Sequence, residues 1–411
     1  MAQVIVFLAA RSRPAARATA GPAPPPLRAL ARHFEGGPLT QRAALVRAAP
    51  ERPLSPSARR GRRTARTPRE PEVRYYPHLG ILFGSATREG IAWLRAAPAV
   101  ACVTGAPALS LIQPKRRAPA HAPATLTWVL RAMKVERLWK EGATGKGVRV
   151  GHLDTGVDGT HPALRGAVER FAEFDDLGGL VRPTPRPYDT EDHGTHTAGT
   201  IAGRPVAGRH VGVAPGATLA SAIVVESGNV VARVLGGMDW AIAQEVRVLS
   251  LSLGFRGWWD DFLALTTLLR ERNVLPVFAV GNEGPGTSRS PGNYAEALSV
   301  GAHDNQKHVA YFSSSQRFDR KADAIVPDLV APGVSVTSAK PGGGYQSMDG
   351  SSMATPHVAG LAALLMEARP ERTAAEIEAA IFASCRLADG MTEDRAHRGM
   401  PDGVRALAAL G

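Results

Sequence analysis

Cysteine is nearly absent from this chain: Cys102 and Cys385 are the only two in 411 residues. Two thiols cannot build a disulfide framework, and these fall in different parts of the chain, so both are expected unbridged and buried. Long hydrophobic runs are missing too. No stretch approaches the roughly 18 uncharged apolar residues that cross a bilayer, so no membrane span is expected. The chain opens M-A-Q-V-I-V-F-L-A-A, with no basic residue before its short apolar run; Arg11 and Arg13 come after it. That is a poor layout for a secretory signal and a better one for a strand, so a cytoplasmic location is favoured over export. Acidic residues are scarce in one part only. Residues 1–125 hold 20 Lys and Arg against 5 Asp and Glu, whereas 126–411 hold 29 against 32. The formal charge of +12 therefore belongs to the N-terminal part.

The Arg-rich run at 59–70 has no interleaved aromatics; the nearest are Tyr75 and Tyr76. It reads as a disordered tether in preference to a nucleic-acid site, and no nucleic-acid partner is expected. Stretches 11–37 and 50–72, rich in Pro, Ala and Arg, have little periodicity and read as loops or disorder. Around them, Val4–Leu8 and Leu79–Phe83 read as strands and Leu39–Ala49 as a helix. Thr87 is placed to cap a helix through Ala96, and Val100–Val103 and Ala108–Ile112 read as extended. Residues 1–112 then form a small α+β domain. Residues 113–125, Q-P-K-R-R-A-P-A-H-A-P-A-T, form a linker and a candidate processing site. Residues 126–411 form the large domain.

In that large domain, apolar strand runs (Val148–Leu153, Thr218–Val225, Val246–Leu253, Leu275–Val280, Leu298–Val300) alternate with helical segments at Thr195–Ala202, Val231–Gln244 and Asp260–Arg270. This predicts an α/β fold with a mostly parallel, doubly wound sheet and helices on both faces. A long apolar helix is expected from Ser352 to Glu367, with Pro356 in its first turns.

Three short motifs carry chemistry: D-T-G at 154–156, H-G-T-H at 193–196 and G-S-S-M-A-T-P at 350–356. Alone, each has a bland explanation as a turn Asp, a packed His or a helix-capping Ser. Together they supply an acid, a base and a nucleophile. Asp154 ends a strand, His193 leads a helix of small residues, and Ser352 starts a helix where its own N–H is a free donor. The order Asp, His, Ser, with gaps of 39 and 159 residues, resembles that of subtilisin-like serine proteases (the subtilases, peptidase family S8). V-G-N-E-G at 280–284, S-L-G at 252–254, V-G-V-A-P-G-A at 211–217, S-P-G-N-Y at 290–294 and A-P-G at 331–333 extend the likeness over 126–411.

The resemblance implies an endopeptidase working through an acyl-enzyme on Ser352, with Asp154 and His193 completing the triad and no cofactor. It puts Asn282 beside the Ser352 N–H in the oxyanion hole. Ser252, Leu253, Gly254 and Gly281 become the backbone that binds a polypeptide substrate. The N-terminal domain's element order resembles an inhibitory, folding-assisting propeptide domain, which would make it an intramolecular inhibitor of a monomeric enzyme. The alternative is a catalytically silent scaffold that binds peptides in the same groove.

Some features depart from the pattern. Ser351 stands where relatives carry Thr, so Ser351 is the alternative nucleophile and otherwise a helix cap. The loop G-R-P-V-A-G-R-H at 203–210, where many relatives bind calcium, has no carboxylate or carboxamide, and no metal is expected there. Asp175–Asp176 and Glu191–Asp192 read as solvated acidic turns or weak ion sites. His196 and His357 read as packing or hydrogen-bonding residues. Arg289 is either a solvated surface residue or a group that favours acidic or aromatic side chains in the first specificity pocket.

Overall fold

The apolar runs become strands, and the computed structural model, which describes residues 2–9, 25–34, 73–106, 108–226, 228–321 and 323–411, shows how they associate. The helix expected over Leu39–Ala49 and the Arg-rich run 59–70 lie outside the described residues. Two compact units emerge: one of 1–108 with 172–185 and 226–240, the other of 109–171, 186–225 and 241–411. They divide the chain differently from 1–112, 113–125 and 126–411.

The first unit is built on a four-stranded sheet in the order Arg74–Tyr76, Ile81–Ala86, Ala2–Leu8, Val100–Gly105, every pair antiparallel. Val4, Val6, Leu8, Leu82 and Leu94 share its core with Leu27, Leu30 and Phe34. The last three come from the helix Pro25–Ala31 and the turn after it, inside a stretch expected to be irregular. Thr87 caps the helix Arg88–Ala96, its side chain accepting from the Gly90 N–H. The Asp239 carboxylate accepts the N–H groups of His78 and Leu79 at 2.7 and 2.9 Å. Cys102 is exposed, against expectation, because Val100–Gly105 is an edge strand with one face outward; Cys385 is buried.

The second unit is organised by a seven-stranded sheet. Its order is Leu329–Pro332, Leu298–His303, Leu275–Ala279, Val248–Leu251, Arg149–Asp154, Thr218–Ile223, Val168–Glu173. The first six strands pair in parallel. Strands such as Leu275–Ala279 are buried at every residue, as a sheet covered on both faces requires. The helix Ser351–Ala368 is buried from Ser351 to Met366 and packs within that core. The helix His193–Ala202 is buried throughout. Gly194 permits a close approach there: a Cβ would lie 2.0 Å from the Gly156 carbonyl oxygen.

Order along the chain reverses around Arg149–Asp154. Later strands extend one edge of the sheet from it, and Thr218–Ile223 with Val168–Glu173 the other. Parallel sheets open a crevice at the carboxyl ends of strands at such a point. Part of the expected linker is a strand as well: Arg116–Ala120 pairs antiparallel with Tyr345–Asp349. Among the described residues no helix is long and apolar enough to cross a membrane.

Candidate active site

Three neighbouring strands deliver their last residues to one crevice. Asp154 ends Arg149–Asp154, Ser252 follows Val248–Leu251, and Gly281 and Asn282 follow Leu275–Ala279. Two helix N-termini add His193 and Ser352.

His193 Nδ1 lies 2.7 Å from Asp154 Oδ1 and 2.9 Å from Oδ2, and both side chains are buried. A ring N–H held by a carboxylate fixes the tautomer and leaves Nε2 as the atom able to take a hydroxyl proton. Burial opposes the charge on Asp154, but the neighbouring His193 and a hydrogen bond from the Thr155 N–H outweigh it and hold the carboxyl at about 2. The start of the His193 helix is tied down by Asp189, whose Oδ2 accepts from Thr195 N–H at 2.7 Å and Oγ1 at 2.6 Å. Asp189 Oδ1 takes the Thr155 hydroxyl, which accepts in turn from Gly194 N–H. Asp189 and Thr155 escaped the sequence reading; only the folded chain sets these turns side by side.

Ser352 is the second residue of its helix. Pro356, four residues on, has no N–H to give the Ser352 carbonyl, and the Ser252 hydroxyl donates to that oxygen instead, at 3.3 Å. Ser351 does not cap the helix; Gly350 holds that position. The Ser351 N–H and hydroxyl instead both donate to Asn282 Oδ1, at 2.8 and 2.9 Å. That turns the donor end of the Asn282 amide into the crevice. A single sequence cannot reveal this job, which joins residues 69 apart.

The crevice holds the chain's own segment. Ser110–Leu111 pairs antiparallel with Leu253–Gly254, and the Ile112 N–H donates to the Ser252 carbonyl at 3.0 Å. The Ser352 hydroxyl donates to the Ile112 carbonyl at 2.8 Å, and Asn282 Nδ2 to the Gln113 carbonyl at 3.0 Å. Beyond these, Lys115 N–H meets the Asp349 carbonyl. Arg117 reaches Asp192 at 2.6 Å and Gln113 Oε1 at 2.8 Å. With the segment in place, His193 Nε2 is buried and makes no hydrogen bond among the described residues, so Ser352 and His193 are not joined.

Other expectations are corrected. Arg289 is buried, not solvated. Its Nε and Nη2 bind Glu283 Oε1 at 3.0 and 2.5 Å, and its Nη1 reaches the Gly254 carbonyl and the Ser110 hydroxyl. Burial opposes the charge on Glu283, but the guanidinium outweighs it and holds the carboxyl below its usual range. Of the acidic pairs, Asp176 and Glu191 are exposed, as solvated turns would be, whereas Asp175 is buried and Asp192 half-buried. Asp175 accepts from Leu177 and Gly179 N–H groups and lies 3.6 Å from Arg74, while Asp176 binds Arg233. Asp192 and Glu191 face Arg117. His196 gives its Nε2–H to the Val336 carbonyl at 2.9 Å, and burial holds both His196 and His357 at about 3, neutral. In the loop without carboxylates, the Arg204 guanidinium gathers the carbonyls of Ala202, Pro215, Ala217 and Gly166.

Residues 145–400 match the model of the subtilase family, Peptidase_S8. The chain is 37% identical over 276 residues to the subtilisin-like protease PopC of Myxococcus xanthus, covering 59% of this chain and 56% of that one. It is 37% identical over 266 residues to an alkaline protease of Alkalihalobacillus alcalophilus, covering 64% and 65%. With subtilisin E of Bacillus subtilis the identity is 35% over 252 residues, 60% and 62% of the two chains. The chain thus spans less than two thirds of the length of these three relatives. The match over most of the chain, on a fold that sets Asp154, His193 and Ser352 around one crevice, makes this protein a member of the subtilase family.

Proposed function

We propose that the chain is a serine endopeptidase that carries its own inhibitor in its substrate groove. One observation carries the reading: residues 110–113 lie along Leu253–Gly254 as an extended peptide, with their carbonyls at the Ser352 hydroxyl and the Asn282 amide. A groove that binds by main-chain hydrogen bonds accepts extended polypeptide of many sequences. In such a substrate Ser352 attacks a peptide carbonyl while His193 takes its proton and Asp154 steadies the imidazolium. The proton then passes to the leaving amine, and water releases the acyl-enzyme. Asn282 Nδ2 and the Ser352 N–H stabilise the oxyanion. The relatives named as proteases support this reading.

The register supports inhibition by the N-terminal part. Attack requires the nucleophile and the oxyanion donor to act on one carbonyl. Here Ser352 points at the oxygen of Ile112 and Asn282 holds the next carbonyl, that of Gln113. In this register the segment fills the groove without presenting a carbonyl for attack; a shift of the segment, or a second copy acting on it, would make the cut within 112–125 that releases it.

Intact-mass spectrometry of the wild type and Ser352→Ala, each with a fluorophosphonate probe, tests both parts. The expected wild type gains one probe mass and loses about its first 112–125 residues, and the mutant does neither. Folded wild type that shows neither change, even after an added protease has cut within 112–125 and opened the groove, leaves a peptide-binding scaffold as the reading.

A further inference from the structure

One buried polar residue has no part in the chemistry above. His152 lies two residues before Asp154 on the same strand, so both side chains leave one face of the sheet. It is 1% exposed, where an imidazole carries a desolvation cost that a valine would not. Both ring nitrogens are partnered: Nδ1 lies 2.9 Å from Ser221 Oγ, and Nε2 lies 2.8 Å from Thr197 Oγ1. Thr197 Oγ1 in turn lies 3.1 Å from Asp154 Oδ2.

Proton accounting gives this row a direction. Thr197 has one hydroxyl proton, and His152 Nε2, Asp154 Oδ2 and the carbonyls of His193 and Gly194 surround it. Were Nε2 the acceptor, the Thr197 oxygen would face a carboxylate oxygen with no proton between them. With the proton on Nε2, the imidazole donates to Thr197, and the hydroxyl is free to donate to Oδ2, the charged and strongest acceptor in reach. His152 Nδ1 then accepts from the Ser221 hydroxyl, and every member of the row is satisfied.

We propose that His152 is a positioning residue for the triad: as the neutral Nε2–H tautomer it turns the Thr197 hydroxyl onto Asp154 Oδ2. The proposal rests on the reading of Asp154, His193 and Ser352 as the catalytic residues. Burial holds His152 below the ordinary imidazole value, against the pull of Asp154 and Asp189 and aided by His193, so its tautomer and not its charge carries the effect. Those three are the titratable groups that act on it; the flanking strands present the uncharged Ser221 and Ser250. A hydroxyl donated to Oδ2 draws charge from the carboxylate and fixes its rotation. Without it, Asp154 pulls harder on the imidazolium of His193, which then holds its proton more tightly when the leaving amine needs it.

The test is steady-state kinetics of the protein expressed as the full chain and then processed, with His152→Leu, His152→Gln, Thr197→Val, or His152→Leu and Thr197→Val together, active sites being counted by fluorophosphonate titration. His152→Leu and Thr197→Val should each lower kcat about tenfold, the worth of one hydrogen bond to a charged group. KM should change little, and the acid limb of kcat/KM should move up by about half a pH unit. The double variant should be no worse than either single one, since both break the same row. In His152→Gln the side-chain amide N–H replaces the imidazole donor and should recover most of the rate. An unmoved acid limb in both single variants, or additive losses, overturns the proposal. If His152→Leu fails to fold, Thr197→Val and His152→Gln decide by the same readouts. A wild type that neither cleaves peptides nor takes the probe sinks the protease reading itself, which an active wild type with unshifted variants does not.

Discussion

The hydroxyl of Ser352 donates to the carbonyl oxygen of Ile112, 240 residues earlier in the chain, at 2.8 Å. The proposed nucleophile is thereby engaged by its own polypeptide. Arg117 anchors the far side of that segment through Asp192 and Gln113. Because this ion pair is partly exposed, its contribution is small. Arg117→Ala should raise the rate of fluorophosphonate labelling of unprocessed protein about two- to fivefold. Labelling at the wild-type rate would show that Arg117 does not hold the segment down.

Asn282→Ala should lower kcat by about 10²–10³, a magnitude that is subtilisin's own, with KM little changed. Ser351→Ala leaves Asn282 Oδ1 with the Ser351 N–H alone. It should cost about fivefold, one neutral hydrogen bond's worth. If Ser351→Ala is silent, the backbone N–H suffices to orient the amide.

Asp154 has its folded value depressed from 3.8 to about 2. The stability it contributes is therefore fully present above about pH 4 and is lost as pH falls toward 2. Chemical denaturation of wild type and Asp154→Asn should show a stability difference that narrows over that window. A difference that stays constant from pH 4 to 2 would mean the native carboxylate is not stabilised.

Arg204 places a fixed cation among four backbone carbonyls. Arg204→Ala strands them and should cost on the order of 2–3 kcal/mol, read as a fall in Tm. Added calcium should not restore it, since the loop offers no carboxylate. Full rescue by calcium would show that the loop is a cation site after all.

Arg289 borders the groove with its charge already met by Glu283. Substrates should therefore show no preference for Asp over Leu at the position that Ser110 occupies. Glu283→Gln frees the guanidinium and should favour Asp there by about tenfold, the effect expected of one unpaired charge near a protein surface. A peptide library showing a strong wild-type preference for Asp would contradict the pairing.

Much of this was legible in the chain. The apolar strands read correctly because parallel strands buried on both faces must be apolar throughout, and Leu275–Ala279 and Leu298–His303 are buried at every residue. The helix Arg88–Ala96 was readable from Thr87, a local capping signal. The strand Arg116–Ala120 was not, because R-R-A-P-A has no strand pattern and its partners lie more than 200 residues away. The helix Pro25–Ala31 was hidden the same way, its Leu27 and Leu30 gaining meaning only against Val4 and Leu82.

By itself the sequence determined the kinds of residue available and their placement in glycine-flanked turns: Asp154, His193, Asn282 and Ser352 stand out because small neighbours leave their polar groups reachable. Tertiary structure alone decided what those groups touch. It set Ser351 on Asn282, Asp189 on the His193 helix, His152 behind Asp154, Glu283 on Arg289 and Ile112 on Ser352. Hydrogen bonds and ion pairs act over about 3 Å in space. No local pattern encodes a partner that the chain reaches only by folding back across 69 or 240 residues.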